Sequence, residues 1–139
     1  MGLGVISGAA VAGFFFLRRR TKAPPPPPPP DEVAWEALRR LVALDLISKG
    51  EIERFYVLLS SILRQYIEGR FGVRAPERTT QEFLEEASRS PELGRHRDRL
   101  KEFLELSDMV KFARYEPDPP VIQASFDTVK RFIEETAEG

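Results

Sequence analysis

The run Asp108-Met109-Val110-Lys111-Phe112-Ala113-Arg114-Tyr115 places a carboxylate and two cations among apolar and aromatic side chains. On a helix, Asp108 and Lys111 stand three positions apart on one face, where an ion pair would hold the lysine beside apolar neighbours at the junction with the next loop. That is equipment for recognition rather than for bond breaking. With Arg64 and Arg78, two further charges expected to be exposed or half-exposed, Asp108, Lys111 and Arg114 form the candidate partner-binding set. A plainer reading stands beside it. Basic residues at a helix C-terminus answer its dipole, so Asp108 and Lys111 could simply hold the helix to its loop.

The other reactive side chains do not assemble into a catalytic pattern. Thr79-Thr80 offers two hydroxyls, but Thr79 with Glu82 has the S/T-x-x-E spacing of a capping box, which accounts for them without a nucleophile. His96, the only histidine, lies between Arg95 and Arg97, whose charge disfavours a metal ion, and reads as a surface residue. Carboxylates are scattered over helix exteriors with no H-E-x-x-H and no paired histidine. Gly69-Arg70-Phe71-Gly72 ends a helix instead of opening one, the wrong end for cradling phosphate. With 0 cysteines, disulfides, thiolate metal sites and cysteine nucleophiles are excluded. The expectation is a non-enzyme with no cofactor and no metal.

The element that must carry these side chains is Glu51 to Gly72. Ile52, Phe55, Tyr56, Leu59, Ile62, Leu63, Tyr66 and Ile67 follow the i, i+3, i+4, i+7 spacing of one helical face. Val57 and Leu58 widen the stripe, while Glu53, Arg54, Ser61, Arg64, Gln65 and Glu68 are expected to stay wet. This helix should be the hub of the core, capped by Gly72. A preceding helix is expected from near Asp31–Val33 to Ile47, with Val33, Leu38, Leu41 and Val42 inward, Trp35 and Leu46 as further candidates, and Gly50 as its cap. A short helix follows Thr79, bearing Phe83, Leu84 and Ala87. A fourth runs from near Glu92 or Gly94 to about Phe112, burying Leu100, Phe103, Leu104, Met109 or Val110, and Phe112. Pro117, Pro119 and Pro120 then break the chain, with Asp118 as cap of a last helix. That helix carries Val121, Ile122, Ala124 or Ser125, Val129, Phe132 and Ile133.

Charge divides the chain. Four of its 21 basic residues, Arg18, Arg19, Arg20 and Lys22, precede the prolines, so residues 31–139 hold 17 basic and 22 acidic side chains, a net of −5. An acidic body lacks the clustered basic surface that nucleic acid requires. Residues Gly2 to Leu17 carry no charge and end on the arginine triplet, which is the order of a single-pass anchor with its following domain in the cytoplasm, not of a signal peptide. Gly4 and Gly8 form a G-x-x-x-G through which two such anchors could pair as a homodimer. Pro24 to Pro30 form a polyproline II spacer of roughly 20 Å. The expected organisation is all-α: a transmembrane anchor over 1–20, a proline-rich linker over 21–30, and a compact bundle of about five helices over 31–139.

Three blocks carry a family resemblance: F-Y-x-x-L-S-x-I-L-R-x-Y-I-E-x-R-F-G from Phe55 to Gly72, E-R-T-T-x-E-F-L from Glu77 to Leu84, and D-x-V-K-F-A from Asp108 to Ala113. Together they resemble a bacterial family of membrane-anchored proteins and the C-terminal tails of BatD-like aerotolerance proteins. Members accompany MoxR-type AAA+ ATPases and von Willebrand factor A domain proteins. The resemblance implies a helical cytoplasmic domain at the bacterial inner membrane, serving as an adaptor for such an ATPase or von Willebrand A protein. It supplies no catalytic residues. The chain departs from the BatD-like pattern in having no extracytoplasmic domain before the anchor, so it is expected to be a short form or the structural C-terminal tail of a longer envelope protein.

Overall fold

In the computed structural model, which describes residues 23–75 and 78–138, the apolar stripe of the central segment forms a 20-residue helix, Ile52–Phe71. In chain order the helices are α1 (Pro30–Ala43), α2 (Ile52–Phe71), α3 (Thr80–Ala87), α4 (Pro91–Gly94), α5 (Arg97–Ala113) and α6 (Pro119–Thr136). No strand occurs among the described residues. α2 packs against α1, α5 and α6, while α3 packs against α5. Tyr56, Leu59, Leu63 and Ile67 on α2 are fully buried, each apolar side chain contributing roughly 1.5–3 kcal/mol. Gly72 closes α2 in the left-handed conformation at φ 73°, its amide donating to the Glu68 carbonyl.

The expected boundaries need three corrections. α1 stops at Ala43 rather than Ile47, because Asp45 turns left-handed at φ 51° and accepts from Ser48 Oγ at 2.8 Å. Gly50 is left-handed too, but closes this turn rather than the helix. Val33 and Val42 face solvent; Ala34 joins Leu38 and Leu41 in the core instead. The expected fourth helix is two, since Ser90 caps a single turn over Pro91–Gly94 and His96 restarts the chain as α5. His96 is not a surface residue: its ring packs edge-on against Phe132 at 5.1 Å, with Nδ1 3.7 Å from Glu135.

Polar pairs lock α6 onto α2. The Tyr56 hydroxyl bonds Ser125 Oγ at 2.8 Å, and the Tyr66 hydroxyl bonds Thr136 Oγ1 at 2.7 Å. Arg70 Nε donates to the Thr136 carbonyl at 2.9 Å. At the opposite side Gly69 admits α1: a Cβ there would lie 3.2 Å from Pro30 Cβ. Pro30 is already helical, and Pro27–Pro30 border a hollow shared with Ile62, Tyr66 and Gly69. The last proline of the run is therefore part of α1 and lies against α2 at Gly69.

Among the described residues no helix is long and apolar enough to cross a membrane. The expected anchor over 1–20, with Gly4 and Gly8, lies outside those residues.

Candidate functional site

Arg64 is buried, not wet. Only 8% of the residue remains exposed, because α2 is covered here by the loop leading into α3. Its Nη1 donates to the carbonyls of Ala75 at 2.9 Å and Arg78 at 2.8 Å, and its Nη2 to Thr80 Oγ1 at 2.9 Å. Thr80 in turn donates to Asp108 Oδ2 at 2.6 Å. A single threonine hydroxyl thus relays a guanidinium on α2 to a carboxylate on α5. The neighbouring Thr79 supplies the cap: its Oγ1 accepts from the Glu82 amide at 3.2 Å.

Above this network lies a groove of about 380 Å³, bordered by α2, the start of α3 and the end of α5. Lys111 reaches into it with 17% of its side chain exposed, 3.8 Å from Asp108 Oδ1 and 3.3 Å from Ser60 Oγ. Arg78 sits on the rim, paired with Glu82 at 3.3 Å and Glu86 at 4.0 Å. Val57 and Phe112 supply apolar edges, and Phe112 is 80% exposed, contrary to its expected place in the core. Helical geometry explains the reversal. Val110 is buried, and a residue two positions later points about 200° away. Met109, one position before Val110 and so about 100° round the helix from it, is half-exposed.

Burial pushes the Lys111 ammonium below its ordinary value of 10.5; Asp108 opposes the shift and the Arg64 charge adds to it. The unfolded chain therefore binds this proton more tightly, and the contribution of Lys111 to stability rises with pH between the lowered folded value and 10.5. Lys111→Met is expected to melt above the parent at neutral pH, by a margin that narrows as pH climbs toward about 10. Paired thermal melts across that range check it. A lysine serving only to hold α5 to its loop would instead lower the melting temperature when replaced.

Arg114 does not belong to this groove. It lies across Val57, in an adjoining hollow with Tyr115, Glu116 and residues 50–54. It ends α5 in the left-handed conformation at φ 56°, where glycine would be unstrained. Arg114→Gly is expected to stabilise the domain by roughly 0.5 kcal/mol in urea titration, the relief of strain exceeding the added chain entropy.

Of the five expected site residues, the structure joins Arg64, Arg78, Asp108 and Lys111 in one groove and leaves Arg114 beside it. Among the described residues, no three His, Cys, Asp or Glu side chains gather where they could hold a metal ion. No family model, curated protein or solved structure matches the chain. The groove's own chemistry must therefore carry the functional reading. It is rich in donors, holds its charges in fixed positions and has a hydrophobic rim, which suits binding a polar segment with an apolar neighbour.

The residues missed in the sequence are Thr80, Ser60, Val57 and Phe112. Thr80 had a signal, since one hydroxyl suffices for the cap and the second of the tandem is left over. Phe112 had one as well, in its angle to Val110.

Proposed function

We propose that this chain is a non-catalytic, membrane-tethered adaptor whose helical domain docks a cytoplasmic partner through the face where α2, α3 and α5 meet. The observation that carries the reading is the exposure of Phe112 directly beside a half-buried lysine. An exposed aromatic next to oriented charge is the composition of an interaction hot spot. The uncharged run over residues 2–17, followed by three arginines, supports a single-pass anchor at a bacterial inner membrane. The proline run, whose last residue is part of α1, joins the domain to that anchor, and tethering raises the effective concentration at membrane-bound partners. The partner implied by the resemblance is a MoxR-type AAA+ ATPase or a von Willebrand A protein.

The test compares affinity capture from membranes by the full chain and by a copy starting at Ala23, which keeps the prolines that pack on α2. Recovery of an AAA+ ATPase or a von Willebrand A protein with both is the expected result, placing recognition in the domain. Recovery with neither, while circular dichroism shows a folded domain, overturns the adaptor reading in favour of a structural tail.

A further inference from the structure

We infer that the groove takes an acidic peptide segment of the partner, with one carboxylate side chain reaching Lys111 and an adjacent apolar side chain lying on Phe112 and Val57. This deepens the docking proposal and rests on it. Charge complementarity carries it. The groove is lined by three cations, Arg64, Arg78 and Lys111, and by one carboxylate, Asp108, in a body whose net charge is −5 over residues 31–139. The positive excess is local and runs against the sign of the domain.

The three cations are not equally satisfied. Arg78 is answered outside the groove by Glu82 and Glu86. Arg64 spends its two terminal nitrogens on Ala75, Arg78 and Thr80, and reaches Asp108 through the Thr80 hydroxyl. Lys111 is left with the Phe112 ring at 5.6 Å and with Asp108 at 3.8 Å and Ser60 at 3.3 Å, the last two longer than the roughly 2.7–2.9 Å of a charge-assisted hydrogen bond. An ammonium has three donors, so among the described residues its capacity is unfilled. Its partial burial strengthens any ion pair formed there.

The shape narrows the ligand further. About 380 Å³ has room for a few side chains and not for a folded element. A monoanionic carboxylate fits better than a phosphate, because Asp108 stands on the floor within 3.8 Å of the same ammonium and would repel a dianion more strongly. The exposed ring of Phe112 and the side chain of Val57 line the groove together with the lysine, so charge and apolar contact fall within one short peptide.

The experiment uses the full chain in detergent and three fluorescein-labelled, capped heptapeptide pools. Each has a fixed central Glu, Gln or Lys, flanked by mixed Leu, Ile, Val and Phe, with Ser and Gly at the ends. By fluorescence anisotropy the Glu pool should bind at least tenfold more tightly than the Gln pool, and the Lys pool most weakly. Lys111→Met and Lys111→Gln should abolish that preference while the circular dichroism spectrum is unchanged, and Phe112→Ser should weaken all pools. Equal binding of the Glu and Gln pools that still depends on Phe112 overturns the acidic specificity and leaves the docking face standing. Binding indifferent to Phe112→Ser overturns the docking face itself. Displacement of the Glu pool by inorganic phosphate at lower concentration than by acetate overturns the carboxylate assignment. Failure of every pool to bind at about 1 mM overturns the inference, and the membrane capture then decides the docking reading separately.

Discussion

Arg64→Met should destabilise the domain by roughly 3 kcal/mol or more, seen as a lower urea midpoint at constant slope and a melting temperature lower by about 10 °C or more. Methionine follows the aliphatic stem of the arginine but lacks its planar head, which also stacks over the Phe83 ring at 5.8 Å. What disappears is a guanidinium that donates to the carbonyls of Ala75 and Arg78 and to the oxygen of Thr80, leaving Ala75 with only the Arg78 amide at 3.3 Å and the Arg78 carbonyl without that donor. Asp108 then keeps only Thr80 and the distant Lys111. Arg64→Lys should not restore the loss, because one ammonium cannot span three acceptors held at the fork spacing of arginine. Thr79→Ala, which removes only the cap of α3, should cost about 1 kcal/mol and serves as the local control. A loss below about 1 kcal/mol for Arg64→Met would mean that the loop carries its own weight and that the relay to Asp108 is incidental.

The burial of Arg64 also marks where sequence reading stopped. The stripe of α2 was legible because Phe55, Leu59, Leu63 and Ile67 recur at the helical period, and each is buried. The cap by Thr79 was legible because its donor lies three residues on. Arg64 was not, since its acceptors are main-chain carbonyls at Ala75 and Arg78, and carbonyls leave no mark in a sequence. The same holds for Tyr56 with Ser125 and Tyr66 with Thr136, pairs separated by 69 and 70 positions. Ser125 stands only as an alternative to Ala124 in the last helix, and Thr136 only as its approximate end, until α6 is laid on α2. At the break, His96 meets Phe132 in another helix, a contact that no local pattern announces. Local signals thus marked where most helices lie, and contacts distant in sequence set which charges meet in the groove.

Phe112→Ser should leave stability within about 0.5 kcal/mol of the parent and weaken partner binding by about 30-fold or more. The two halves of this expectation have separate causes. With 80% of the residue exposed, Phe112 contributes little burial to the fold, so its removal opens no cavity. In a complex the same ring would be desolvated against the partner, where aromatic anchors account for 2 kcal/mol or more. Val57→Ser, at 42% exposure on the opposite edge, should cost binding less because it has less area to bury. Surface plasmon resonance on the captured partner, with urea titration of each variant, separates the two readouts. A stability loss matching the binding loss would make Phe112 a packing residue and sink the docking face. The opposite pattern would pair with that expected for Lys111, whose charged side chain is held in a site that disfavours its charge. An aromatic left in water and a cation drawn partly out of it sit in adjacent positions of one helix, the ammonium 5.6 Å from the ring, and one bound segment would cover both.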